Sequence, residues 1–273
     1  MRNVLLTGLP RSGTTLICHL LNKLPNTVAL HEPLNQELMS VAPALITESI
    51  NQFLSAQRIH ILSSGSAVSK AMDGRVPTNP LGDDVVDGRR TNQLNGKLIK
   101  VNNVNSEDFS LYIKHPAFFT GYLPELVKYF ECYAIIRNPL ALLLSWRNAN
   151  MPVTRGRAPN AELASPTLLR ALDREPDVIA RQLIILDFFC ERYFTYLQNK
   201  VVRYEDLINS GGKRMSLIEP RALQLNEEFE SRNLRCINID PATRQIADRL
   251  LESSNACWHY YQRIDVISLI EPT

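Results

Sequence analysis

Asn3-Val4-Leu5-Leu6-Thr7-Gly8-Leu9-Pro10-Arg11-Ser12-Gly13-Thr14-Thr15 is the stretch that decides how this chain is read. Its apolar run halts at Gly8, as a buried parallel strand does on leaving a sheet. From Thr14 onward, Leu16, Ile17, Leu20, Leu21 and Leu24 recur at helical spacing, so a helix follows the loop. Gly8 and Gly13 stand five residues apart between strand and helix, the spacing of the GxxxxGK[ST] phosphate loop. Glycines permit the tight turn, backbone N–H groups converge on an anion, and the helix N-terminus adds positive potential. One element is missing. Thr14 stands where the nucleoside-triphosphate loop carries lysine, and Arg11 is the loop's cation.

Working outward, Thr27-Val28-Ala29-Leu30 reads as a second strand that ends at His31-Glu32-Pro33, completing a βαβ unit. Mixed helical character runs from Glu37 to Gln57. Up to Gly96 the chain is then rich in Gly, Ser, Asn, Asp and Pro, with Leu81-Gly82-Asp83-Asp84 and Asp87-Gly88-Arg89-Arg90 as examples. That is too long for an ordinary connection, so residues 40–96 form either a cap or lid over a site or a partly disordered insertion. Strand patterns return at Lys97–Val101 and Leu111–Lys114, the latter stopping at His115-Pro116. A helix near Leu123–Phe130 leads to the buried strand Cys132–Ile136, which delivers Arg137-Asn138-Pro139.

Pro139 suits the first turn of the next helix. A loop with Pro152, Arg155, Gly156, Arg157 and Pro159 follows, and Pro176 opens the longest helix, to about Gln198. It feeds the short strand Lys200–Arg203. Leu234–Ile239 is a further candidate strand, and Pro241–Ser253 a capped helix. Strands alternating with helices predict an α/β fold, three layers around a central, mostly parallel sheet. Residues 1–273 are read as one domain bearing the helical and loop cap.

Composition limits the function classes. A formal net charge of +2 is too small to argue for nucleic acid, so basic character must be local, gathered where an anion sits. An apolar fraction of 45% with 21% charged residues is ordinary for a globular chain. No run approaches the ~18 apolar residues that span a bilayer, and the sequence opens on a strand pattern without a signal peptide. The five cysteines are odd in number and free of CxxC pairs, which fits a reducing compartment. No membrane association and cytoplasmic residence are the expectations.

Nucleoside triphosphatases hold Mg²⁺ through an acid at the end of a neighbouring buried strand. Here the strand Ala134-Ile135-Ile136 ends in Arg137, which contributes charge for a phosphate and repels a metal. His19 and His60 lack any ligand-spaced partner, so no metal site is read. The pattern suits a nucleotide with phosphates at two places and no metal.

These residues resemble the sulfotransferase family, which uses 3′-phosphoadenosine 5′-phosphosulfate (PAPS) and releases PAP. Pro10-Arg11-Ser12-Gly13-Thr14-Thr15 is similar to that family's 5′-phosphosulfate loop. Arg137-Asn138-Pro139, with Ser145 eight residues after the arginine, resembles its 3′-phosphate motif, in which arginine and serine grip the phosphate. Val202–Leu207, including Tyr204, is similar to a third stretch that borders the nucleotide site, and Lys114-His115-Pro116 to a strand-end Lys-x-Pro element. His31-Glu32-Pro33-Leu34 looks like the Glu-Pro segment of carbohydrate sulfotransferases, whose glutamate can deprotonate the acceptor. The resemblance covers residues 2–35 and 110–208. The Arg-Lys-Gly element common near the family's C-terminus has only Lys213-Arg214 and Arg221 as weak counterparts.

The resemblance implies transfer of a sulfuryl group to a hydroxyl on a carbohydrate or small metabolite. Such transfer needs an in-line acceptor, a base and cations over the leaving phosphate. Glu32 and His115 are the alternative bases, each at the end of a strand, where open α/β sheets bind ligands. Lys114 and Arg11 are the cations for the leaving phosphate. His31 should face away from Glu32 if the strand keeps alternating. Trp146, Tyr204 and Trp258 read as core aromatics that can also stack on a ligand. The rival readings are a P-loop kinase, against which Thr14 and Arg137 argue, and a nucleotide-binding module with an inactive site.

Overall fold

Nine strands lie among the described residues, and those of the central sheet follow from the apolar runs. In chain order they are β1 (Arg2–Gly8), β2 (Thr27–His31), β3 (Ser66–Ala71), β4 (Leu81–Val86), β5 (Arg89–Asn92), β6 (Asn95–Lys100), β7 (Ser110–Lys114), β8 (Glu131–Ile136) and β9 (Val201–Arg203). The computed structural model describes residues 1–86, 89–233 and 239–271, with backbone alone for 82–86. Five strands make the central sheet in the order β2-β7-β1-β8-β9. Every pairing in it is parallel.

Both faces of the sheet are covered. Leu5, Leu111, Ile113, Ala134 and Ile136 belong to a core on one face, beneath the helices Ile46–Ser64, Pro139–Arg147 and Val178–Leu197. Their neighbours Val4, Leu6, Tyr112, Tyr133 and Ile135 belong to a second core under the helix Thr14–Leu21 and the segment 204–225. Successive side chains of a strand point to opposite faces, so a strand buried on both reads as an unbroken apolar run. This is the three-layer α/β arrangement expected from the sequence.

Register sets the functional edge. Leu6 and His31 both stand opposite Lys114, and Gly8 opposite Ile135, so β1, β2, β7 and β8 release their chains along one edge. β1 has neighbours reached by different routes, β7 on one side and β8 on the other. Open sheets form their crevice at such a divergence.

Residues 66–100 differ from the surrounding order. They form two small antiparallel pairs, β3 with β6 and β4 with β5, outside the central sheet. The strand foreseen at Lys97–Val101 is therefore real but belongs to this excursion. β5 is tied back by Arg90 N–H to Asn148 O at 3.2 Å and Asn150 N–H to Arg90 O at 2.9 Å.

Other boundaries moved for identifiable reasons. The helix expected at Leu123–Phe130 is shorter, Leu123–Leu126, and follows another at Pro116–Gly121. The helix Pro159–Ala164 starts within the expected loop, and Pro166–Arg174 follows where the sequence reading named no element; in each, proline takes the first helical position rather than breaking a helix. The helix Arg263–Ile270 also escaped the sequence reading. The long helix starts at Val178, after Asp177 accepts from Ala180 N–H, and the helix Pro241–Glu252 is capped likewise by Asp240. The candidate strand Leu234–Ile239 falls largely, and Asp87-Gly88 wholly, outside the described residues. No helix among the described residues is long and apolar enough to cross a membrane.

Candidate active site

The loop after β1 is fixed from three sides. The Ser12 hydroxyl, fully buried, donates to Ile135 O at 2.7 Å, and Leu9 N–H donates to the same carbonyl at 3.2 Å. Trp146 Nε1–H donates to Pro10 O at 2.7 Å. Gly8 cannot carry a side chain, since a Cβ would meet Ile135 O at 2.5 Å. Arg11 and Gly13 adopt positive φ, 73° and 96°, a left-handed geometry that turns successive N–H groups inward.

Gly13 caps the helix Thr14–Leu21 with no side-chain hydrogen bond, and the first turn holds no acid. The leading N–H groups of a helix have no intrahelical partner, so this terminus suits an anion. Tyr204 closes the loop from outside. A Cβ on Gly13 would lie 2.8 Å from Tyr204 Cδ2, and the same ring carries the Arg137 guanidinium with Cζ 4.9 Å from its centroid.

Arg137, at the end of β8, is almost wholly buried. It donates to Asn233 Oδ1 at 2.8 Å, Arg232 O at 2.7 Å and Arg11 O at 3.2 Å, joining the loop to the segment that reaches Asn233. Arg11 donates to Asn79 Oδ1 at 3.0 Å and to Ser145 Oγ at 3.3 Å. Ser145 thus meets Arg11 behind the cleft wall, as Ser12 meets Ile135.

Pro10, Arg11, Gly13, Thr14, Thr15, and the polar groups Glu32, Lys114, His115, Arg137 and Tyr204 all border one cleft of about 720 Å³. That volume lies within the range of sites for drug-sized ligands. Ten of the twelve residues singled out from the sequence therefore meet in a single place.

Opposite the loop stands a tight polar cluster. Lys114 Nζ donates to Glu32 Oε1 at 2.9 Å and to His31 Nε2 at 2.8 Å, and Lys70 Nζ reaches Glu32 Oε2 at 2.6 Å. An ammonium has three N–H bonds. The third of Lys114 has no partner among the described residues. Since His31 Nε2 accepts, its proton sits on Nδ1.

His31 does not face away from Glu32, as strand alternation predicted. Its Nε2 is 3.4 Å from Glu32 Oε1. Glu32 has φ 45°, so the chain leaves the extended conformation there and alternation no longer applies. Glu32 N–H still reaches Lys114 O at 2.8 Å, which holds the turn against β7.

Charges in this cluster follow from burial and contact. Burial raises the Glu32 carboxyl, but Lys114, together with smaller contributions from His31 and His115, outweighs it and holds the group well below the usual carboxylate range. Burial, then the charge of Lys114, pushes His31 down to about 4. Burial pushes His115 down to about 3, with Glu32 pulling the other way and Lys114 adding to the fall. Both imidazoles are neutral at pH 7. His31 Nδ1 and His115 Nε2 are buried without a hydrogen-bond partner among the described residues. Such atoms cost free energy unless water or a ligand meets them, and both residues line the cleft.

No protein-family model and no curated protein matches this chain. Among solved structures, the sulfotransferase STF1 from Mycobacterium tuberculosis H37Rv aligns over 100% of this chain and 77% of its own, at 13% identity. The TM-score is 0.36. So distant an overlap carries no weight for function, which rests on the residues themselves.

Several cleft residues had no signal in the sequence. Asn79 lines the cleft from the excursion, and Lys70, which does not border it, reaches Glu32 from the same excursion; their contacts with Arg11 and Glu32 span 68 and 38 residues. Arg232 and Asn233 take the place beside Arg137 for which Lys213-Arg214 and Arg221 were the candidates. Arg221 instead faces Asn26 O and Thr27 Oγ1, each at 3.4 Å. Trp258 is not among the residues bordering the cleft, whereas Trp146 supports it from behind.

Proposed function

We propose that the protein is a sulfotransferase that moves a sulfuryl group from PAPS to a hydroxyl on a small-molecule or glycan acceptor, without a metal. The observation that carries this reading is the meeting, in one cleft, of an uncapped helix N-terminus, Arg137 in the place of a metal-binding acid, and the Lys114–His115 wall. PAPS, when bound, supplies a sulfuryl group attached to a 5′-phosphate leaving group. The N–H groups at Gly13, Thr14 and Thr15, with Arg11, hold the 5′ end, and Arg137, braced by Tyr204, faces the 3′-phosphate. The buried imidazole nitrogens and the third N–H of Lys114 are fitting partners for a polar ligand at the other wall.

The acceptor oxygen forms its bond to sulfur as the bond from sulfur to the bridging phosphate oxygen breaks. That oxygen keeps the electron pair, and Lys114 neutralises the charge it gains. The hydroxyl proton goes to His115 Nε2. Glu32 is the less available base, because both its oxygens already accept from ammonium groups, whereas His115 Nε2 has no partner among the described residues. Its part is to fix Lys114. A P-loop kinase reading is disfavoured by Thr14 in place of lysine.

Calorimetric titration separates the readings. PAP should bind without Mg²⁺ and more tightly than ATP, and the reverse order would sink the proposal. In single-turnover ³⁵S transfer, His115→Asn should lose on the order of 10²–10⁴ in rate with PAP affinity kept. Equal rates for His115→Asn and wild type would remove His115 as the base.

A further inference from the structure

The cleft is walled by two different layers of the fold. Leu20, Tyr204 and Ile208 come from the core beneath the loop helix, and Lys23 and Arg232 with Glu227, Glu228 and Glu230 add charge of both signs on that side. The facing wall is apolar: Ala117, Met151, Val153 and Ala158 belong to the other core or pack on it, and Pro152 and Pro159 line the cleft beside them.

That apolar wall is built as one unit with His115. The residue caps the helix Pro116–Gly121, which packs so closely on the helix Pro159–Ala164 that a Cβ on Gly121 would stand 2.6 Å from Ala164 Cβ. Gln182 Nε2 donates to Val153 O at 2.9 Å, and the Thr154 hydroxyl donates to Trp146 O at 2.8 Å, holding the turn that bears Met151 to Val153. The wall's cation is already committed. Arg157 pairs with Asp173 at 2.6 Å and with the buried Glu162, and Glu162 also accepts from Ala158 N–H at 2.5 Å. Asn92 and Asn160 are its uncharged polar groups.

A sugar or acidic glycan presents several hydroxyls or carboxylates, each of which must regain hydrogen bonds on leaving water. This wall offers few. An apolar body gains from burial against it, and a single hydroxyl then needs only the His115 end.

We infer that the acceptor carries its hydroxyl on a compact apolar body, such as a phenol or a hydrophobic alcohol, rather than on a glycan, an inference that rests on the sulfotransferase reading. The test uses 2-naphthol as the apolar probe, with N-acetylglucosamine and an unsulfated chondroitin disaccharide as sugars, in ³⁵S transfer from PAPS. The expected result is a kcat/KM at least about tenfold higher for 2-naphthol. Met151→Asn places a polar group on the wall at a turn start where asparagine is well tolerated. It should raise KM for 2-naphthol about tenfold with kcat and PAP affinity unchanged. Preference for either sugar, or an unchanged KM in the variant, overturns the inference while PAP binding still stands for the donor.

If PAP fails to bind, the donor reading falls, and fluorescence titration of 2-naphthol alone decides the acceptor wall. The same titration decides if PAP binds and no acceptor is sulfated. Saturable binding weakened about tenfold by Met151→Asn supports the wall's assignment, and absence of saturable binding overturns it.

Discussion

Lowering the pH from 7 to 5 should remove a large share of this protein's stability, and the cause is the pair of buried imidazoles. His31 and His115 are 2% and 3% exposed and titrate in the fold at about 4 and about 3. In the unfolded chain each titrates near 6.5. Between those values the unfolded state binds a proton that the folded state refuses. Stability is therefore full above pH 6.5 and is lost as pH falls toward the folded values. With a slope of about 1.4 kcal/mol per pH unit for each group, integration from pH 7 to 5 gives roughly 2 kcal/mol per imidazole, or about 4 kcal/mol together.

Against a total of about 5–15 kcal/mol this is a decisive fraction. Carboxylates held low by their partners, such as Asp240 beside Arg147, give up their share only at lower pH. The window from 7 to 5 thus isolates the histidines. Urea unfolding at pH 7, 6 and 5, with m checked for constancy, measures the loss. His115→Gln should cut it by about half, to roughly 2 kcal/mol. A wild-type loss under about 1 kcal/mol, or a variant as sensitive to pH as wild type, would refute the reasoning.

Further outcomes follow from the loop and its supports. Arg137→Ala should weaken PAP binding by about 2 kcal/mol, roughly thirtyfold, as calorimetry would read, because a charged hydrogen-bonding group is lost. Gly13→Ala should lower stability by roughly 1–3 kcal/mol in denaturant titration, since φ is 96° and the methyl would meet Tyr204 at 2.8 Å. Trp146→Phe removes the bond to Pro10 O and should cost about 1 kcal/mol in stability by the same measurement. Glu32→Gln leaves Lys114 and Lys70 facing each other without a carboxylate, and a drop in thermal midpoint that is partly reversed by high salt is expected.

Local chemistry was legible wherever one segment carries the whole signal. The apolar run before Gly8, the spacing to Gly13 and the run that ends in Arg137 are contiguous, and parallel pairing brings their ends to one edge. Pro159 was misread because a proline within loop-like sequence does not declare whether it ends one element or begins another. His31 was misread because the left-handed turn at Glu32 has no signature in a non-glycine residue. Lys70, Asn79 and Arg232 were invisible for a different reason. Their roles arise from contacts between distant segments, and nothing in their neighbours marks a surface lysine that bends toward a carboxylate.

The excursion that holds β3 to β6 is tied to the central fold in part through two charged groups of the cleft, Lys70 to Glu32 and Asn79 to Arg11. An anion that drew Arg11 away from Asn79 would couple occupancy of the cleft to the seating of these strands, which would then act as a flap. Reciprocity then applies. A ligand that loosens the flap binds more weakly when the flap is stiffened, and by the same factor.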